Sequence, residues 1–157
     1  MGRYLDPDAP LMVAVTGFDD RETLNRNLMY RYVASYEPYN FKGHLSDFPL
    51  TMAYGKQIDA LRERYRDRVW DAEFRDNQGA FVTRDGLPYP LYSVLQNRAG
   101  KKTLVIVNED LHQLLKVEAK IQGASTLRLA RPESPEAVAI SGLIEIPPRS
   151  AVIVMAD

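Results

Sequence analysis

The sequence has no cysteine, two histidines and one tryptophan among 157 residues. Without cysteine there are no disulfides, thiolate metal sites or cysteine nucleophiles. His44 and His112 alone leave no room for a multi-histidine zinc centre. No apolar run approaches the roughly 20 residues of a membrane-crossing helix, and Met1–Tyr4 lacks the apolar core of a signal peptide. Localisation stays open, with the missing leader and missing cysteines leaning toward the cytoplasm. A formal net charge of −1 gives no pull toward nucleic acid or an anionic membrane. There is no phosphate-cradling glycine loop, Ser–His–Asp arrangement or EF-hand loop, and nothing calls for a cofactor. What is present is ordinary for a folded chain: 45% hydrophobic and 26% charged residues, enough apolar surface to oppose disorder.

The composition divides after Gly79. Of the 15 aromatic residues, all but Phe81, Tyr89 and Tyr92 precede it, while the second half is rich in Val, Ile, Leu and Ala. Residues 1–79 read as strand, helix, strand, loop, helix. Leu11–Val15 is a short apolar run between Pro10 and Gly17, which suits a buried strand. Asp19 and Asp20 offer N-cap oxygens to a helix starting near Arg21, with Leu24, Leu28 and Tyr32 as its apolar stripe. Val33–Tyr36 reads as a second strand, ended by Pro38. A long helix is expected from about Leu50 to Phe74. Ile58, Leu61, Tyr65 and Val69 line its core face, and Arg62, Glu63, Arg66 and Asp67 its solvated face. Pro49 suits its first turn. Strand–helix repetition implies parallel pairing. Two such units leave open sheet edges, so self-association is expected.

Residues 80–157 read as an antiparallel β-sandwich, making the fold class α+β: a helical β/α segment at 1–79, then a β-sandwich domain at 80–157. Gly86–Pro90 reads as a turn or short linker. Strands are expected at Tyr92–Gln96, Lys102–Asn108, Lys116–Ile121, Leu127–Leu129, Val138–Ile140, Ile144–Ile146 and Ser150–Met155. Lys102–Asn108 is apolar on both faces, as a central strand is. Val117, Ala119 and Ile121 alternate with Lys116, Glu118 and Lys120, so a one-residue slip would bury three charges.

Thr103–Asn108 and the closing run Ile144–Val154 resemble the late strands of the β-sandwich that follows the barrel in a bacterial glycoside-hydrolase-like family. Tyr36–Gly43, Asp47–Leu50 and Trp70–Phe74 are similar to the end of that family's catalytic barrel. The resemblance implies that this chain is a C-terminal portion, since a (β/α)8 barrel needs roughly 250 residues.

Glycoside hydrolysis uses two carboxyl groups, one to protonate the leaving oxygen and one to attack or to activate water. The resemblance places Glu37 at a strand's C-terminal end, where a barrel carries its chemistry. Glu37 is therefore the candidate catalytic residue, with Tyr36, Tyr39, Asn40, His44 and Asp47 as candidate substrate contacts. Glu37 also reads as a loop residue pairing with Lys42, Asp47 as an N-cap for the next helix, and Trp70 as packing. Three functions follow. The first is a non-catalytic C-terminal part of a glycoside-hydrolase-like protein, whose sandwich buttresses a barrel. The second is a stand-alone carbohydrate-binding or protein-interaction module. The third is a small glycosidase using Glu37. The expected partners are carbohydrate, and either a second copy or missing barrel segments.

Overall fold

The computed structural model describes residues 2–6 and 9–157. A single helical turn, α1 (Gly2–Leu5), precedes strand β1 (Met12–Val15), helix α2 (Arg21–Met29) and strand β2 (Val33–Tyr36). β1 and β2 pair in parallel, Met12 opposite Val33 and Val15 opposite Tyr36, as a sheet of two strands. The loop into α2 is organised differently from a simple cap. Asp20 is the N-cap residue, but its side chain makes no capping bond. Its Oδ2 instead accepts the Thr16 and Gly17 N–H groups, each at 3.2 Å. The Thr51 hydroxyl then locks this turn to the next helix. It accepts the Asp20 N–H at 2.9 Å and donates to the Gly17 carbonyl at 2.7 Å.

Helix α3 (Pro49–Arg64) starts with proline in its first turn, where a missing N–H costs nothing. It is shorter than its apolar periodicity predicts. The chain leaves helical geometry at Tyr65 (φ −112°, ψ 39°), makes one further turn, α4 (Arg66–Val69), and becomes strand β3 (Glu73–Phe74). The Tyr65 hydroxyl donates to the Pro135 carbonyl at 2.7 Å, and Phe74 joins a sheet opposite Leu95. Val69 is still buried in the same core as Ile58 and Leu61, so the i, i+3, i+4 pattern runs through the break without registering it.

The remaining strands are β4 (Ala80–Arg84), β5 (Leu87–Pro88), β6 (Tyr92–Gln96), β7 (Lys102–Asn108), β8 (Leu115–Ile121), β9 (Leu127–Arg131), β10 (Ser134–Ile140), β11 (Ile144–Ile146) and β12 (Ser150–Ala156). They form a six-stranded sheet, β10-β9-β12-β7-β6-β3, and a four-stranded sheet, β11-β8-β4-β5, with every pairing antiparallel. The stretch expected to be a turn or short linker carries the turn and second strand of a hairpin. β4 and β5 flank Asp85 and Gly86, both at positive φ (51° and 77°). That is the geometry a two-residue Asp-Gly turn supplies.

Alternation sorts the core. Leu104, Ile106, Val152 and Val154 face the four-stranded sheet, against Val82, Val117 and Ile146. Their neighbours Val105, Val107, Ala151 and Ile153 face the opposite way, into a core shared with Leu24, Leu28, Ile58 and Leu61 of α2 and α3. The six-stranded sheet is thus the middle of three layers. This is why β7 and β12 read as unbroken apolar runs: a strand covered on both faces has no polar side to alternate with. Each of those buried Val, Leu and Ile side chains contributes about 1.5–3 kcal/mol by leaving water. Polar ties fasten the helical layer. The Ser93 hydroxyl donates to the Met29 carbonyl, Arg26 forms a two-bond pair with Glu109 at 2.6 and 3.0 Å, and Arg149 clamps Asp19 through its carboxylate and carbonyl at 2.5 and 2.6 Å.

Candidate functional site

The C-terminal ends of β1 and β2 carry the Thr16–Asp20 turn and the loop from Glu37 to Phe48. The second loop is two 3-10 turns, Tyr39–Phe41 and Leu45–Asp47. Between them Gly43 sits at φ +84°, and a Cβ there would come within 2.7 Å of Asp47 Oδ2. The positive φ favours glycine, and a Cβ would also oblige the Asp47 carboxylate to shift. Asn40 and Phe41 are also left-handed, at φ 53° and 57°, a conformation costing about 1–2 kcal/mol for a residue such as phenylalanine. Phe18, Tyr39 and Phe41 are all solvent-exposed, Phe41 at 81%. Phe18 bridges the two loops, its ring centroid 5.6 Å from that of Tyr39 and 5.1 Å from that of the buried Phe48. The result is a small aromatic platform beside the strand ends. Phe18 belongs to it although sequence reasoning did not single it out.

The candidate residues do not converge on one cavity. The half-buried Glu37 accepts a hydrogen bond from the Ser35 hydroxyl at 2.9 Å. Asp47 accepts the His44 N–H at 2.8 Å and closes its own 3-10 turn. The N-cap of α3 is Phe48, not Asp47. Among the described residues no hydrogen bond or ion pair joins Glu37 to Asp47. Tyr36 lies on the other face of β2, because adjacent strand residues point oppositely. Its hydroxyl donates to Asp59 at 3.1 Å, and its ring lies against Gly55, where a Cβ would meet Tyr36 Oη at 2.5 Å. Burial, followed by the Asp59 charge and hydrogen bond, pushes the Tyr36 hydroxyl well above the ordinary phenol range. Tyr39, Asn40, His44 and Asp47 are exposed.

Tyr36 instead borders a 310 Å³ cleft between β2 and α3, shared with Ala34, Asp59, Arg62, Glu63 and Trp70. Arg62 departs from its expected place on a solvated helix face: its side chain is only 8% exposed. Trp70 covers it, with the guanidinium carbon 5.1 Å from the ring centroid. Burial lowers its pKa, opposed by the nearby Asp59 charge. Asp59 is its ion-pair partner, at a long 4.0 Å, and Arg62 Nη2 is buried without an acceptor. The break after Tyr65 creates this environment by folding Trp70 back over the helix, and no spacing in the sequence announces it. Three larger cavities, of 530, 770 and 510 Å³, lie near Arg98, at the Ile140–Ile144 end of the sandwich, and between Arg68 and Glu136. Glu37, Tyr39, Asn40, His44 and Asp47 line none of these spaces. Among the described residues, no cluster of three or more His, Asp and Glu side chains is placed to hold a metal ion. No described helix is long and apolar enough to cross a membrane.

The chain is thus a β-rich protein of antiparallel sheets, with helices over one face of the larger sheet. No family model matches its sequence, and no curated protein matches it. Two solved structures of a GH27 β-L-arabinopyranosidase from Geobacillus stearothermophilus are similar to it. One is an aspartate-to-alanine variant in complex with arabinose, the other the wild-type enzyme. The TM-scores are 0.43 and 0.40, at 8% sequence identity. Each likeness covers 90% of this chain and 31% of the enzyme's, so the chain spans about a third of the structures it matches. At that level the likeness carries no argument about substrate or residue roles.

Proposed function

We propose that this chain is the non-catalytic C-terminal part of a glycoside-hydrolase-like protein. Residues 1–79 form the end of a β/α barrel, and the 80–157 sandwich buttresses it. One observation carries this reading: β1 and β2 are a parallel pair covered on one face only. Val15 is buried against the helices, whereas Met12 and Ala14 on the opposite face are exposed, Met12 at 67%. Among the described residues no further strand pairs with either outer edge of the pair. Parallel strands are found almost only in sheets covered on both faces, and a barrel supplies that cover by closing the sheet on itself. In this reading Glu37, Tyr39, Asn40, His44 and Asp47 stand at the mouth of the parent's barrel, and any sugar contact they make is completed by segments outside residues 1–157. Glu37, Tyr39, Asn40, His44 and Asp47 line none of the described cavities, which supports assigning no turnover to these residues alone.

The test is hydrolysis of a panel of aryl α- and β-glycosides by the folded chain. No release above the blank is expected. Turnover that disappears in Glu37→Gln would overturn the reading in favour of a self-contained glycosidase. A second reading, carbohydrate binding by the isolated chain, is favoured by the exposed Phe18, Tyr39 and Phe41 rings. It predicts calorimetric binding of oligosaccharides that is lost in Phe41→Ala, and no heat from any of them would remove it.

A further inference from the structure

The free edge of β2 and the cleft beside it are complementary to themselves. The Val33 N–H donates to the Leu11 carbonyl at 2.9 Å, and the Glu37 N–H to the Val15 carbonyl at 3.1 Å. Residues 33, 35 and 37 therefore turn their main-chain groups toward β1, and Ala34 and Tyr36 turn theirs outward. The same two residues border the cleft that holds Arg62. The ladder can extend no further. Pro38 has no N–H, and the Tyr32 N–H already donates to the Asn27 carbonyl at 2.8 Å. The edge thus offers two N–H donors and two carbonyl acceptors per copy, centred on Ser35. An antiparallel copy related by a two-fold axis sets Ala34 opposite Tyr36 and Tyr36 opposite Ala34, and all eight groups pair in four hydrogen bonds. The side chains carry the same symmetry. The cleft holds a buried guanidinium whose Nη2 lacks an acceptor, alongside two exposed carboxylates, Asp59 and Glu63. Across a two-fold axis the carboxylates of one copy face the guanidinium of the other, so each copy brings what the other lacks.

We propose that this edge is a homodimer interface, in which β2 pairs antiparallel with β2 of a second copy while Asp59 and Glu63 of each copy face Arg62 of the other. The inference concerns the chain on its own and does not depend on its being part of a larger protein. A parent's strand would compete for the same edge. The measurement is sedimentation velocity of the purified chain over a hundredfold concentration range. The expected result is a reversible species of twice 17.8 kDa at the upper end. Ala34→Pro removes an N–H that β1 does not use and fixes φ in a range an edge strand accepts. It should be monomeric throughout, with an unchanged circular dichroism spectrum. Glu63→Lys, at a site 76% exposed, should raise the dissociation constant at least tenfold, and it decides the matter if Ala34→Pro does not fold. A wild-type chain that stays monomeric overturns the proposal and leaves the parent-protein reading standing. So does a dimer whose dissociation constant is unchanged in the folded variants.

Discussion

Ile58→Ala measures how far the helical layer and the sandwich stand or fall together. Ile58 is fully buried on α3, in the core that also contains Val105, Val107 and Ile153 of β7 and β12. The substitution removes three carbons, worth roughly 2.4 kcal/mol at about 0.8 kcal/mol each. The six-stranded sheet beneath cannot collapse into the gap, so a cavity term adds, and the expected loss is about 3–4 kcal/mol, inside the usual 2–5 kcal/mol range. At roughly 2–4 °C per kcal/mol for a chain of this size, the melting temperature should drop by about 6–16 °C. Two probes divide the molecule. Trp70, the sole tryptophan, sits at the end of α4 and reports on the helical layer. The strand component of the infrared amide I band reports on the sandwich, which holds every strand but β1 and β2. If the shared core couples the layers, both curves coincide in the wild-type chain and move together in the variant. A variant whose Trp70 transition drops while the strand signal keeps its wild-type midpoint would refute the coupling.

Three smaller perturbations test local claims. Gly43→Ala forces a Cβ toward Asp47 Oδ2 at positive φ and should cost about 1–2 kcal/mol in urea unfolding; an unchanged midpoint would show that the loop tolerates a side chain there. Tyr54→Phe removes the hydroxyl that donates to the buried Asn25 Oδ1 at 2.6 Å, leaving an unpaired acceptor in the core; about 1–3 kcal/mol should be lost, against none if the bond contributes nothing. The His112 and Gln113 N–H groups, in that order, hold the Asp110 carboxyl below its ordinary value of 3.8. A carboxyl depressed in the folded state contributes stability above its unfolded value and loses it as pH falls through the lowered folded value. Asp110→Asn should therefore lower the melting temperature near neutrality and flatten its decline below about pH 4. Parallel melting-versus-pH curves for the two proteins would contradict the assignment.

The sandwich was legible because its strands obey simple alternation. Lys116–Ile121 shows one wet and one dry face, and residues 104–107 and 151–155 show two dry ones. That second dry face was a clue to a third layer, but nothing in a strand's own sequence says what covers it. The β4–β5 hairpin was legible only at its turn: Gly86–Pro90 reads as a turn or short linker, and β4 was not among the expected strands. The helix break at Tyr65 was not readable: the apolar spacing runs through it unchanged, and the Tyr65 hydroxyl finds its acceptor at Pro135, seventy residues away. Asp20 and Asp47 illustrate a limit of capping signals. Each stands just before a helix, yet each carboxylate accepts N–H groups of its own preceding turn. At the strand ends, residue spacing drew Tyr36 and Glu37 together as neighbours, whereas strand geometry puts them on opposite faces. The burial of Arg62 depends on Trp70 folding back, which only the tertiary structure supplies.

The central claim is that β1 and β2 form an incompletely covered parallel pair attached to a well-buried three-layer body. Amide hydrogen exchange under native conditions tests it directly. The β7 and β12 amides, including those of Val105 and Ile153, should exchange only through global opening. The amides of Val13 and Ser35 should exchange orders of magnitude faster, through local separation of the pair, and the exposed-edge amides of Ala34 and Tyr36 should be unprotected in the monomer. Protection of the β1–β2 amides equal to that of β7 and β12 in a monomeric sample would show that the pair is complete as it stands, and would contradict the account.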